Sequence, residues 1–559
     1  MFRLQSRSAH YIVLAAAHLL ITLPNLGAHS LWDMDEGVNA EAGREMLESG
    51  NWITPHFNYQ IRSAKPALLY WLMAGSYQVF GVNEFAARLP SVLCGLGSVL
   101  VTYELGRRLF SPSTGLLSGI ALASCIEFCL ISHAATPDPP LIFFFVSAMF
   151  VYWIGSEGER RWWFIPFGML TGLATLTKGP IGLGLPGLII LLHLLWTRRL
   201  NKLWDHRLLL GALMFLLVAG PWYGMVTLDT KGKWTREFIM HDNLNRMSTP
   251  AENHKGGFYY HALLLLVLFV PWSVFLPDAI WQAVRAARKK IATVPPDEPD
   301  EPNRYRFLLV WFLAVLVLFS IAATKLPNYV LPLYPAIAIM TGRWLDRWRL
   351  GKIVVSRRLP YVALAFIGLF GLIYGVAMLV MSGTIKVPFQ IKGLHPIPSF
   401  VNSTPIALVP IAVAIAAWRY VRAGAIDRAI AIFSAGAVLL LALTWAIPVV
   451  TTQEWRPPKY FAEEVGLRQT DRDIRIAGFH WMRQSMVFYA RREVTPMREI
   501  DDLNEFLSVP RPAYAIMRLE IWEIVATRLK VPVRVIARRF EMLSRGDVIV
   551  IANEYVPPD

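Results

Sequence analysis

Thirteen stretches of this chain stay apolar for about 17–25 residues, the length a helix needs to cross a bilayer core about 30 Å thick. They lie near 9–27, 88–108, 112–131, 139–155, 162–177, 179–197, 206–227, 258–283, 305–323, 327–347, 359–382, 404–421 and 427–450. So many runs restrict the chain to a polytopic α-helical membrane protein of about 13 transmembrane helices. Composition agrees: 55% of residues are apolar and 17% charged, against about 45–50% and about 25% in soluble domains. The piece 66–80 carries polar residues at helical spacing and is expected to lie along the interface. Arg3 and Arg7 precede the first run and no small-residue cleavage pattern clearly follows, so that run reads as an uncleaved signal-anchor.

The formal charge of +15 is explained by where the basic residues sit. Arg107/Arg108, Arg160/Arg161, Arg198/Arg199/Lys202, Arg285 to Lys290, Arg343 to Arg358 and Arg419 to Arg428 occupy alternate connections, which the positive-inside rule makes cytoplasmic. The connections 28–87, 132–138, 228–257, 324–326 and 383–403 then fall outside. The amino terminus is expected inside, the carboxyl terminus outside, and no nucleic-acid partner is implied. Residues 285–304 are rich in proline and acid and are expected to be flexible. Beyond the transmembrane domain, 1–450, the texture changes. Short strands at 474–479, 513–517, 533–537 and 547–552, with helices at 484–492 and 519–529, predict a small α/β domain over 451–559, packed on the outer face. Cys94, Cys125 and Cys129 lie in apolar stretches and form no disulfide or zinc pattern.

The first outer loop, 28–87, is long for a compact protein, and such loops are usually functional or disordered. Its aromatic residues and helix formers favour order. Asp33, Asp35 and Glu36 follow the first span directly, where isolated charge is costly. One reading makes them the acidic first turn of a helix; the other makes Asp35 or a neighbour a general base or an electrostatic partner in catalysis. Arg62 and Lys65 either snorkel to lipid headgroups or hold a phosphate at the interface. Asp138, before two prolines, is either a helix cap or part of one site with the first-loop carboxylates. Lys178 and Lys325, the latter followed by Tyr329, stand in short outer turns and are either anchors or phosphate ligands. The loop 229–257 and its exit hold His241, Arg246, His254 and Tyr259. The histidine spacing matches no standard metal site, which leaves hydrogen bonding to a polar substrate or within an ordered loop.

In chain order, Asp35-Glu36, the run REMLESGNWITPH from Arg44 to His56, Lys65-Pro66, Arg88-Leu-Pro90-Ser91, Thr136-x-Asp138-x-Pro140, Lys178-Gly179-Pro180, Pro221-Trp222-Tyr223, Pro271-Trp272-Ser273 and Lys325 to Pro332 form one pattern. It resembles the membrane-embedded GT-C glycosyltransferases of the protein O-mannosyltransferase and aminoarabinose-transferase superfamily, over roughly residues 10–345. The resemblance implies a sugar moved from a polyprenyl phosphate donor to a cell-surface acceptor at the bacterial inner membrane. In the aminoarabinose branch the sugar is 4-amino-4-deoxy-L-arabinose, the donor lipid undecaprenyl phosphate and the acceptor a lipid A phosphate; a protein or polysaccharide acceptor is the alternative. It further implies that Asp35 is the central catalytic carboxylate, that Asp138 is a second acid in the cavity, and that Lys65 with Lys178, Arg246 or Lys325 contacts the lipid-linked phosphate. Arg62, Glu36, His241, His254, Tyr259 and Tyr329 complete the candidate substrate-binding set. No cofactor is expected, since protein cations suffice, although a divalent metal at Asp33 and Asp35 stays open. The chain departs from the aminoarabinose pattern at Gly37 to Ala40 and at Ala64, both beside the proposed site, which bears on donor and acceptor identity. A transporter or lipid flippase also fits the span count. Carriers, however, place ionisable residues near the bilayer midplane, whereas here they gather at the outer ends.

Overall fold

The computed structural model describes residues 6–156, 162–245, 256–289, 301–386, 396–448, 455–468, 473–541 and 546–557. All thirteen apolar stretches are largely helical. Among the described residues seven helices are long and apolar enough to cross a membrane, or nine if two bent pairs each count as one crossing. The expected thirteen are therefore thirteen helical segments of unequal reach. Arg7–Thr22, Phe164–Lys178 and Tyr334–Arg349 have only 16, 15 and 16 residues.

The stretch 112–131 divides into Pro112–Ala123 and Ile126–Ser132, bent by 67°. At the break Ser124 Oγ donates back to the Ile120 carbonyl, a local bond that competes with the helical ladder. The stretch 258–283 bends by 118° between Tyr260–Leu268 and Trp272–Ala287, beside Pro271, which offers no backbone N–H. Residues 290–300, within the segment expected to be flexible, lie outside the described residues. The chain re-enters at the Glu301–Ile321 helix, where Glu301 meets Arg347 at 2.6 Å.

The first loop is ordered throughout. It holds the Asp35–Ser49 helix, an antiparallel ribbon of β1 (His56–Phe57) and β2 (Gln60–Ile61), and the Leu68–Phe80 helix anticipated at 66–80. The tail folds into a five-stranded mixed sheet of β3 (Arg475–Phe479), β4 (Val494–Met497), β5 (Ala513–Arg518), β6 (Val533–Glu541) and β7 (Gly546–Asn553), in the order β4-β3-β5-β7-β6. Strands β4, β3 and β5 run parallel, while β7 pairs antiparallel with both β5 and β6. Strand β4 was not expected from sequence: it is four residues long and contains Pro496, which is tolerated because the strand forms a sheet edge. The Pro457–Glu463 and Ile500–Ser508 helices were likewise missed.

The tail is fastened to the first loop. Met486, Val487 and Tyr489 share one apolar core with Leu31, Leu69, Met73 and Tyr77. The Tyr489 hydroxyl accepts from the Leu31 N–H at 2.7 Å and donates to Glu84, which also meets Lys459 at 2.6 Å. Asn58 exchanges two hydrogen bonds with the backbone of Val494. Gly37 marks the closest approach, since a Cβ there would stand 2.5 Å from the Ser485 nitrogen. Gly37→Leu is expected to overpack this contact by about 1–3 kcal/mol and loosen the tail. Limited proteolysis of the purified protein should then cut between 449 and 473 faster than in the parent.

Candidate active site

Three carboxylates lie within four residues of chain, and each goes to a different place. Met34, between Asp33 and Asp35, has φ 75° and ψ −67°, a backbone conformation that costs a non-glycine residue about 1–3 kcal/mol. Contacts on both sides hold it. Asp33 Oδ1 accepts from the Ser485 N–H at 2.9 Å, reaching into the tail. Glu36, an expected substrate ligand, is fully spent inside the protein. Its two oxygens accept from Arg88 Nε and Nη2 at 2.8 Å each and from the backbone N–H groups of Trp32 and Ala135. Burial alone would raise its pKa, but the Arg88 guanidinium and these bonds hold it down at about 2. Its role is to position the loop.

Asp35 opens the Asp35–Ser49 helix, and its carboxylate makes no hydrogen bond or ion pair with any described residue. Its side chain is solvent-accessible, yet surrounding protein reduces its hydration. Burial, then the negative charge of Asp138, raise its pKa above the ordinary carboxylate value, and Lys178, Lys65 and Arg62 pull it back. Those four residues are its electrostatic neighbours.

Asp138 starts the Asp138–Ser156 helix and is buried. One oxygen accepts from Lys178 Nζ at 2.5 Å, the other from Asn328 Nδ2 at 2.9 Å. Lys178 ends the Phe164–Lys178 helix, and its ammonium stands 5.6 Å from the centre of the Tyr329 ring. The chain reverses at Gly179, φ 87°, where a Cβ would strike the Phe238 ring at 2.4 Å. Lys65 and Arg62 come from the stretch between β2 and the Leu68–Phe80 helix. Arg62 Nε donates to the Tyr70 hydroxyl at 2.9 Å, and its carbonyl accepts from Trp234 Nε1. The result is one free carboxylate facing a neutralised acid–lysine pair, with two further cations beside it.

Lys325, expected to hold a phosphate, instead donates to the carbonyls of Phe319, Ser320 and Ala322 at 2.6–3.2 Å. It satisfies carbonyls left open at the end of the Glu301–Ile321 helix, so all three ammonium donors are used. Tyr259 is exposed, packs on Phe258 and joins none of these contacts. Arg246 and His254 lie outside the described residues, and of His241 only the backbone, in the Phe238–Asn245 segment, is described. Sequence reasoning passed over Asn328 as a ligand of Asp138. It also missed Glu127, buried with one oxygen accepting from the Tyr334 hydroxyl; an acidic residue inside a predicted span was its available signal. Among the described residues no group of three or more His, Cys, Asp or Glu is placed to hold a metal ion.

A family model described as dolichyl-phosphate-mannose-protein mannosyltransferase matches residues 64–223. An undecaprenyl phosphate-α-4-amino-4-deoxy-L-arabinose arabinosyl transferase of Pseudomonas paraeruginosa is 31% identical over 82% of this chain and 80% of its own length. The protein of that name from Pseudomonas aeruginosa is 33% identical over 66% of each chain. Across several curated relatives the match spans 57% to 66% of their length. Among solved structures, that of ArnT from Cupriavidus metallidurans bound to undecaprenyl phosphate superimposes with a TM-score of 0.82, covering 99% of this chain and 100% of that one at 23% identity. That likeness establishes a shared fold.

Proposed function

The chain belongs to the family of undecaprenyl phosphate-α-4-amino-4-deoxy-L-arabinose arabinosyl transferases, and from that premise we propose that it is a polyprenyl-phosphate-dependent membrane glycosyltransferase. In this reading it moves 4-amino-4-deoxy-L-arabinose from undecaprenyl phosphate to a lipid A phosphate. The observation that carries the proposal is the unbonded Asp35 carboxylate in the field of Lys65, Arg62 and the Asp138–Lys178 pair.

Breaking a glycosyl–phosphate bond builds positive charge on the anomeric carbon and negative charge on the departing phosphate. Fixed cations act where that negative charge develops, a task for Lys65 and Arg62. Asp35 orients or deprotonates the acceptor and stabilises the electron-poor sugar; a phosphate acceptor needs little base catalysis. Asp138, ion-paired with Lys178, acts on Asp35 through its negative charge. With one free carboxylate, a single displacement with inversion follows, and a product of retained anomeric configuration would overturn it.

The amino terminus is cytoplasmic in this reading, and thirteen crossings leave the site and the 451–559 domain on the outer side of the inner membrane. Arg107 and Arg108 end the helix that carries Arg88 near its start, and Arg347 and Arg349 end the helix that follows Asn328, so these basic ends lie away from Asp35 and Asp138, which supports that orientation.

The test combines purified protein, undecaprenyl-phosphate aminoarabinose and lipid A, with mass spectrometry of surface glycolipids from cells with and without the gene. The expected outcome is lipid A carrying the aminoarabinose mass only where the gene is present. A sugar lost from a surface protein or polysaccharide instead would reassign the acceptor. Lys65→Ala should raise the KM for the donor about 10–100-fold, the worth of one charge-assisted bond, and Lys65→Arg should recover part of it.

A further inference from the structure

The stretch from Gly37 to Ala40, where the sequence departs from the aminoarabinose pattern, contains one polar side chain, Asn39, and it is buried. Asn39 stands four residues after Asp35 on the Asp35–Ser49 helix, one turn along the same face. Its amide bridges two segments of the site. Asn39 Nδ2 donates to the Ala135 carbonyl at 3.2 Å, and Oδ1 accepts from Arg62 Nη2 at 3.4 Å. The Ala135 N–H in turn donates to Glu36 at 2.8 Å. Two residues of one helix thus hold Ala135 by its N–H and by its carbonyl, three residues before Asp138.

Arg62 is tethered through its backbone and its side chain. Its N–H donates to the Pro55 carbonyl at 2.8 Å and its carbonyl accepts from Trp234 Nε1 at 2.9 Å. Its Nε donates to the buried Tyr70 hydroxyl at 2.9 Å, and its Nη2 to Asn39. A guanidinium carries five N–H donors, and the other three donate to no described residue. Arg62 is also one of the cations whose field reaches Asp35. The Tyr70 bond alone pins one edge of the guanidinium; the Asn39 bond adds a second point and so sets its plane. An aspartate at this position would ion-pair with Arg62 and offset its charge, whereas a neutral amide orients the cation and leaves it available.

We propose that Asn39 is a positioning residue for Arg62, holding its three open N–H groups for the phosphate of the lipid-linked donor. This rests on the glycosyltransferase reading above. Donors set in advance where negative charge develops need no reorganisation during the reaction, and a second, neutral tether on the guanidinium supplies that setting. Because the same amide holds Ala135, it also fixes Arg62 relative to the segment that leads into Asp138.

Equilibrium binding of undecaprenyl phosphate to the full-length protein in detergent, read by tryptophan fluorescence, tests this without relying on turnover. Arg62→Gln is expected to weaken binding at least about tenfold, the loss of a charge-assisted contact, and Asn39→Leu about fivefold. In the Arg62→Gln background Asn39→Leu should weaken binding by less than about twofold, because its effect passes through Arg62. A purely structural Asn39 would instead weaken binding by the same factor in both backgrounds. Asn39→Ser, which is smaller, carries the same cycle if the leucine variant does not fold. Equal factors in the two backgrounds, or Asn39 variants that bind the lipid like the parent, would overturn this proposal alone. No binding by the parent would strike the glycosyltransferase reading and this proposal with it.

Discussion

Asp35→Asn protein is expected to fold and insert normally and to transfer sugar at least about a thousandfold more slowly, the scale on which a group acting directly on the reacting atoms is felt. The replacement keeps size and shape, and Asp35 has no hydrogen bond among the described residues to lose, so stability should stay within about 0.5 kcal/mol. The acid limb of kcat/KM gives a second reading. Burial and Asp138 raise the Asp35 pKa, so activity, which in this proposal needs the ionised form, should begin to fall on acidification at a higher pH than an ordinary aspartate would set. Asp138→Asn removes a negative neighbour and frees the Lys178 charge, and both effects should move that limb to lower pH. Near-normal turnover by Asp35→Asn protein in detergent with purified donor would remove Asp35 from the mechanism.

The largest loss of stability is expected at Arg88. Its side chain is wholly buried and its five N–H donors make five bonds: two to Glu36, and one each to the carbonyls of Leu26, His29 and Ser30. Arg88→Met leaves the Glu36 carboxylate buried without its counter-ion, a defect worth about 3–5 kcal/mol. The Glu36→Gln/Arg88→Met double variant should recover part of it, because the stranded charge is gone. Thermal unfolding followed by tryptophan fluorescence in detergent measures both, and equal losses in the single and double variants would show that the carbonyl bonds, not the ion pair, dominate. The pair also carries a pH signature. Glu36 is depressed from 4.5 to about 2, so its contribution is complete above about pH 4.5 and is lost as the pH falls through about 2.

What the sequence disclosed follows from the range of the forces involved. Helix and strand positions are local: apolar runs mark the helical segments, and β3, β5, β6 and β7 follow alternation and β-branched content. Strand β4 escaped because Val494-Thr-Pro-Met is too short to show a period and owes its conformation to β3 alongside it. In the site, Asp35 and Asp138 could be named as candidates from their settings after the first span and before a proline pair. The fate of their neighbours could not. Asp33 binds a backbone 452 residues away, Glu36 answers to Arg88 on another helix, and Lys325 is captured by carbonyls that open only where a particular helix stops. A charged residue at a membrane boundary looks the same in sequence whether it holds a substrate or completes the scaffold.

The bond between Asp33 and Ser485 also sets an order of events in the cell. At roughly 5–20 residues per second, the ribosome needs about 20–90 s to deliver the partner of the loop it made first. Until then the strained Met34 turn has one of its two holds missing, and the helix that begins at Asp35 has no lid on its glycine face. A nascent protein can thus be inserted in the bilayer while the turn that presents Asp35 is still unset, and that turn is completed only with the late-made sheet.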